Sequence, residues 1–582
     1  MAPSESKYTV GTIEVLHTSS SENSDPRAKY NGIDRRTINL PVGHKKEPDC
    51  RSFESETIFD KDIEIPMRDG TVLRGDVFRP AGKQALPAIV MFSPYGKSGT
   101  GFYDLHVQGR AGIPRSAISG YQSFEGFDPA EWVNYDYAIV NVNTRGVMDS
   151  QGNIRFWGTS EGLDGYDTVE YIAQLPWCSG HVALAGNSWL AITQWFVAAT
   201  GPPHLTCVPN LAFMDLLAGH LFSDNEREDI IGMIKKYPLV NEYWQDKRAQ
   251  PHLIQCPAYV LASMATSLHL VGSMRGFEQI PHNKKWLRLH PTQEWHDLYQ
   301  PDSVADFRKF LDFYMKGVHN GWEQTPKTRI SVIRYNQEPT EYIPFDTWPI
   351  PSTTMAWLYL SDDNTLQPET RKDNVIAGKQ VYQSDVKPPR WDADPEEISF
   401  TFRFPERSTL IGPVRGVLFM SCPDHDDMDV FIILRKADAE GKVLRNINIP
   451  IADLHAVDAS IVEEKDVDMV NTHQYIGPMG ILRASHRKRD ESLSTESWAV
   501  HDHTNEEKIS PGTVVKLEIG IWPAAMRFES GEKLVVRVSG HDMRMPDYAP
   551  LRDTFSTDNR GRHFVHVGGA YESYVEIPVV NL

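Results

Sequence analysis

The chain is 582 residues long, more than one hydrophobic core organises, so two or three domains are expected. Its 40% hydrophobic and 24% charged residues suit a globular protein, and a formal net charge of -19 argues against holding a phosphate backbone. No apolar run of about 18 residues occurs, and Met1-Ala-Pro-Ser-Glu-Ser-Lys7 has no basic segment followed by an apolar one. Neither a membrane span nor a nucleic-acid partner is expected, and the expected location is cytoplasmic.

Residues 1–55 read as an N-terminal extension, partly irregular, with the polar run Thr18 to Pro26 as a flexible linker and order beginning near Ile58. Ile63 to Phe78 reads as two strands around an Asp69-Gly70 turn. Ala88-Ile-Val-Met-Phe92 and Tyr137 to Val142 are short apolar runs bounded by turn signals, the pattern of buried parallel strands. Leu163 to Leu175 has helical period, Val182-Ala-Leu-Ala185 is a strand, and a helix follows from about Trp189 to Thr200. Strand and helix in alternation predict a doubly wound α/β sheet over 56–212 and 253–325. Residues 213–252 interrupt the alternation as a helical cap insertion; strands at Ala258 to Ala262 and Trp286 to Leu289 resume it, and a helix stopped by Gly317 closes it. From 326 to 582 short β-type runs such as Ile330-Ser-Val-Ile333 and Val430 to Leu434 predict an all-β jelly-roll domain. The five cysteines are scattered without a CxxC, as expected of reduced, buried thiols.

The clearest chemical signal is Ala185-Gly-Asn-Ser-Trp-Leu-Ala191, between a predicted strand and a predicted helix. A serine on such a turn has its hydroxyl raised above the sheet beside free helix N-terminal amides. Ser188 is the candidate nucleophile and the Trp189 amide a candidate oxyanion donor. The usual glycine two residues after the serine is replaced by Leu190.

These motifs resemble the family of cocaine esterase, α-amino-acid ester hydrolases and X-Pro dipeptidyl-peptidases, whose elbow carries its second glycine one residue later, where Ala191 stands here. Ile65 to Pro80, Ser93-Pro-Tyr-Gly-Lys97, Asn143-Thr-Arg-Gly146, Gly165 to Cys178, Gly480 to Arg487 and Pro511 to Ile519 are similar to family segments in the same order. The resemblance implies an α/β-hydrolase fold with a C-terminal jelly roll. It also implies that Tyr95 is the second oxyanion donor and that chains of this architecture often form homo-oligomers. It departs from this sequence at the acid and the base. Ser267 stands at the usual Asp position, and Glu294 at or near the usual His position. His290, at the end of a predicted strand, is the first candidate for the base; His269 is the second, which with Glu294 would exchange the loops of base and acid; His296 is the third. Met264 and Trp295 are expected to border an apolar substrate pocket. Phe156 and Trp157 follow a strand end, near the site or in the core. No metal site and no cofactor are expected.

The expected function is serine hydrolysis of an ester or amide of a small organic molecule, a specialised metabolite among the candidates, through a Ser188 acyl-enzyme. The altered acid and base keep a non-hydrolytic reading open: a cyclase, an isomerase or a carbon–carbon bond reaction. An X-Pro-type dipeptidyl peptidase is a narrower alternative, and a non-catalytic binding protein a third.

Overall fold

The fold is built on strands whose every residue is buried, which places them in the middle of a sheet covered on both faces. In the computed structural model, which describes residues 8–103, 111–210, 221–266, 268–335, 337–386, 396–470, 472–496, 498–544 and 557–582, three strands of the first sheet are of this kind. They are Leu86–Ser93, Ala138–Asn143 and Ala258–Ser263. With their neighbours they form an eleven-stranded sheet among the described residues. In chain order the strands are β1 (Arg36–Leu40), β2 (Thr57–Pro66), β3 (Val72–Pro80), β4 (Leu86–Ser93), β5 (Ala138–Asn143), β6 (Cys178–Leu184), β7 (Leu205–Asn210), β8 (Ala258–Ser263), β9 (Lys285–His290), β10 (Thr328–Val332) and β11 (Thr340–Phe345). Their spatial order is β11-β10-β9-β8-β7-β6-β4-β5-β3-β2-β1. Pairing is parallel from β10 through to β5 and antiparallel at both ends of the sheet. Helices α1 (Gly158–Ala173), α2 (Trp189–Thr200), α3 (Leu270–Gln279), α4 (Glu294–Leu298) and α5 (Pro301–Lys316) connect or cover the strands. Helix α5 ends at Gly317 in a left-handed cap, φ 66°.

The second sheet is antiparallel and built around two long strands, Ser408–Ser421 and Val515–Phe528, paired along most of their length. The chain returns at its end: Tyr574–Val580 lies between Thr353–Leu360 and Ser408–Ser421. This is an α/β-hydrolase fold with a C-terminal β domain. None of the described helices is long and apolar enough to cross a membrane.

Two expectations about boundaries differ from what is observed. Ile330 to Ile333 was expected to open the β domain at 326, yet Thr328–Val332 pairs in parallel with β9 and the first sheet runs on to Phe345. A short apolar run carries no mark of which sheet it joins. The N-terminal extension is also more ordered than its polarity suggests. Arg36–Leu40 is an edge strand in which only Leu40 is buried. His17–Ser19 pairs with Glu226–Glu228 of the segment expected as a cap, where short helices span Ile230–Lys236 and Glu242–Asp246.

The domains are joined by direct bonds. Ile333 donates its N–H to Ala525 and accepts one from Arg527, which ties the end of β10 to the long strand Val515–Phe528. Glu278, near the end of α3, accepts from two indoles of the β domain, Trp348 Nε1 at 2.7 Å and Trp498 Nε1 at 2.8 Å.

A buried ion triad supports the turn after β4. Lys97 is sealed from water and its ammonium contacts Asp62 and, at 3.1 Å, Asp76. Burial alone would push its pKa down, but the two carboxylates outweigh that and raise it. Removing one member leaves an uncompensated buried charge, so Asp76→Ala is expected to cost about 3–5 kcal/mol in urea unfolding. A loss below about 1 kcal/mol would show that water reaches the triad.

Candidate active site

Strand β6 ends at Leu184, and α2 begins at Trp189 after a turn too tight for ordinary backbone angles. Ser188 sits at φ 54°, ψ −120°, and Gly186 at φ 121°. A Cβ on Gly186 would come within 2.5 Å of Leu190 Cδ2 and 2.8 Å of Leu190 Cβ. The large residue two positions after the serine therefore fills the space that the glycine leaves open. As first residue of the helix, Trp189 has no intrahelical acceptor for its N–H, which leaves that N–H beside Ser188.

Two buried glutamates clamp the elbow, and the sequence reading found neither. Glu125, itself at φ 66°, accepts the Asn187 N–H on its carbonyl at 2.9 Å and the Asn187 Nδ2 on Oε1 at 3.1 Å. Trp295 Nε1 donates to the same Oε1 at 2.7 Å, and Tyr95 bonds this carboxyl through its side chain. Burial pushes Glu125 up to about 8, against these hydrogen bonds and with repulsion from Glu294. On the other side, Glu161 accepts from Trp189 Nε1 at 2.9 Å, Thr193 Oγ1 at 2.7 Å and the Trp157 N–H at 2.7 Å. Burial raises Glu161 to about 7. The only sequence signal for Glu125 was its place in a run rich in glycine and aromatics, Gly120 to Phe127.

The three candidate histidines fall in different surroundings. His269 caps α3, is 4% exposed, and its Nδ1 lies 2.9 Å from Glu294 Oε1, which Thr266 Oγ1 also bonds. Burial alone would raise the Glu294 carboxyl; the His269 charge and these hydrogen bonds outweigh it and hold the group below its usual range. His290 is 0% exposed, and neither of its ring nitrogens has a hydrogen-bond partner among the described residues. Its nearest carboxylate, Asp297, is 3.8 Å away and is already paired with Arg288. Burial lowers the His290 pKa, which disfavours a protonated ring. His296 Nε2 bonds Asp453 Oδ2 of the β domain at 2.8 Å. The structure thus brings His269 and Glu294 together, while His290 and His296 lie in other contacts. Ser267 lies outside the described residues.

The elbow follows β6, the His269 loop follows β8 and the Glu294 loop follows β9, all at the same ends of parallel strands. Glu125 joins them, holding Asn187 on one side of Ser188 and Trp295 next to Glu294. Tyr95 is buried, with its ring 6.5 Å from Trp189 and 5.3 Å from Phe124. Trp157 packs on Trp189 at 4.6 Å. Trp295 and Met264 separate. The indole stays half-buried against Phe124, whereas Met264 joins the core that includes Leu270 and Met274 and donates its N–H to His290.

Two surface clefts of about 810 Å³ lie elsewhere, one lined by Arg51, Tyr135, Gln300 and Arg308, the other by Ser19, Asp69, Asn153 and Asp224. Among the described residues, Glu47, Asp49 and Cys50 have metal-ligand spacing, but Arg115 pairs with both carboxylates.

Residues 69–225 match the X-Pro dipeptidyl-peptidase (S15 family), and residues 320–576 match the X-Pro dipeptidyl-peptidase C-terminal non-catalytic domain. A cocaine esterase from Rhodococcus sp. is 30% identical over 155 residues, 26% of this chain and 24% of that enzyme. The solved structure of a CocE/NonD family hydrolase from Staphylococcus aureus superposes with a TM-score of 0.80 at 26% identity, covering 98% of this chain and 99% of that one. An α-amino acid ester hydrolase shares the fold at 16% identity, with a TM-score of 0.66 over 90% of this chain and 97% of that one. On these matches and this fold, the chain belongs to the cocaine esterase and X-Pro dipeptidyl-peptidase family of α/β-hydrolases.

Proposed function

We propose that the protein hydrolyses an ester or amide of a small organic molecule through an acyl-enzyme on Ser188, with His269 as the base and Glu294 as its orienting acid. The observation that carries this reading is the buried His269–Glu294 contact of 2.9 Å, on loops beside a strained serine elbow. With Nδ1–H toward Glu294, the imidazole lone pair is on Nε2. Ser188 Oγ attacks the carbonyl carbon and its proton passes to His269 Nε2. The oxyanion is met by the Trp189 N–H and the Tyr95 hydroxyl. The leaving alcohol or amine then takes the proton from His269. Water repeats the cycle on the acyl-enzyme, its proton going to His269 and then to Ser188.

The non-hydrolytic reading rested on the altered acid and base, and the His269–Glu294 contact favours hydrolysis over it. Phe124, Tyr103 and Trp295 pack together next to Tyr95 and give the site an aromatic wall, which favours apolar or aromatic acyl groups. Homo-oligomer formation belongs to the same proposal; the elution volume of the purified protein measures it.

Burst kinetics with p-nitrophenyl esters test the nucleophile. One equivalent of p-nitrophenol per chain is expected before steady state, and none from Ser188→Ala. A well-folded protein that neither bursts nor reacts with a fluorophosphonate would sink the reading.

The assignment of the base is tested by single substitutions. His269→Ala is expected to lower kcat by about 10³–10⁴-fold, and Glu294→Gln by up to about 10⁴-fold through the wrong tautomer. His290→Ala should lower stability more than turnover. If His290→Ala abolishes turnover while His269→Ala retains it, the roles are reversed.

A further inference from the structure

Helix α4 is five residues long, and a helix of that length holds no conformation of its own in water. Its first residue is Glu294, the proposed acid, so the contacts that fix the helix fix the carboxyl. Two of them come from the β domain, from the excursion between its strands Asp429–Ala437 and Met479–Arg483. Gln293, the N-cap of α4, donates its N–H to the Asn448 carbonyl at 2.9 Å. His296 Nε2 lies 2.8 Å from Oδ2 of Asp453, in the short helix Ile451–Val457. A carboxylate only accepts, so this ring nitrogen carries the hydrogen. Gln300 Nε2, 3.1 Å from the same nitrogen, is itself a donor and cannot receive it. The two ties flank Glu294, one on the residue before it and one on the second residue after.

The excursion is packed firmly on the catalytic domain. Ile449 and Leu454 are sealed in an apolar cluster with Ile113 and Ile118, and Trp295 and Tyr299 pack against it. A Cβ on Gly112, at φ 75°, would come within 2.9 Å of Ile449 Cγ2 and 3.2 Å of Asp453 Cβ, so only glycine allows this approach. The His296 side chain is 5% exposed, which keeps the donor end of its bond out of water and strengthens it relative to a surface pair.

We propose that Asp453 is a positioning residue for the acid: through His296 it holds α4 in the orientation that keeps the Glu294 carboxyl on His269 Nδ1. This rests on Glu294 being the acid. Trp295, bonded to Glu125, restrains the helix from the catalytic side, and His296 restrains it from the β domain. The contact they protect is a single bond of 2.9 Å between two loops. A displacement of about 1 Å at such a point costs on the order of 10²-fold in rate. The β domain thereby becomes part of the scaffold of the reacting groups.

The experiment is kcat/KM on a p-nitrophenyl ester for the full chain carrying Asp453→Leu, Asp453→Asn or His296→Phe, each alone and together with Glu294→Gln. Asp453→Leu and His296→Phe should each lose about 10–10²-fold, and the two combined no more than either alone. Asp453→Asn keeps an acceptor oxygen for His296, and should exceed Asp453→Leu by at least about fivefold. Together with Glu294→Gln, the same substitutions should cost less than about twofold, because the group they position is already lost. Should Asp453→Leu fail to fold, as urea unfolding would show, His296→Phe carries the same comparison. A merely structural role costs the same with and without Glu294→Gln, and that result overturns the inference. Wild-type kcat/KM in Asp453→Leu overturns it too, as does Asp453→Asn no better than Asp453→Leu. With a Ser188-dependent burst intact, each of these results leaves the acyl-enzyme reading standing. Wild-type kcat/KM in Glu294→Gln removes the acid assignment instead, and the inference with it.

Discussion

Everything in the site depends on holding Ser188 in a backbone conformation that side chains avoid. At φ 54° and ψ −120° the residue stores about 1–3 kcal/mol, which only its surroundings compensate. Those surroundings are specific. The Glu125 carbonyl takes the Asn187 N–H, Leu190 occupies the space above Gly186, and Glu161 anchors the Trp189 indole from below. The elbow is thus gripped on both sides by buried acids, each bound to the residue next to the serine rather than to the serine itself.

The proposed exchange of acid and base between loops is possible because the strands beneath them are neighbours in register. β8 and β9 run parallel, with Ser263 opposite His290, so the chains leaving their ends begin side by side. A hydrogen bond between side chains on the two loops is indifferent to which loop supplies the ring. What changes is the support of each partner: the ring belongs to the residue just before the first turn of α3, while the carboxylate belongs to the first residue of α4 and also accepts from Thr266.

How much of this was legible in the sequence follows from the range of the interactions. The elbow was legible because strand, glycine, serine and helix are consecutive. The His269–Glu294 pair was legible only as one choice among three, since nothing local to His290 reveals that it is sealed against Arg288 and Asp297. Glu125 and Glu161 were invisible. A glutamate read alone is a surface residue by default, and their burial follows from loops arriving from Trp295 and Trp157. The edge strand Arg36–Leu40 escaped for the opposite reason: exposed on one side, it has the polarity of a linker.

Glu278 has a consequence for how the two domains communicate. It lies on the helix that His269 caps, and both its oxygens are taken by indoles from the β domain. Sliding one domain against the other would therefore drag the helix and turn the imidazole away from its carboxylate. By linkage, whatever favours a productive imidazole must favour the closed domain contact by the same free energy. An occupied site would then protect the β domain from proteolysis and local opening, although the proposed nucleophile, base and acid, Ser188, His269 and Glu294, all lie outside it.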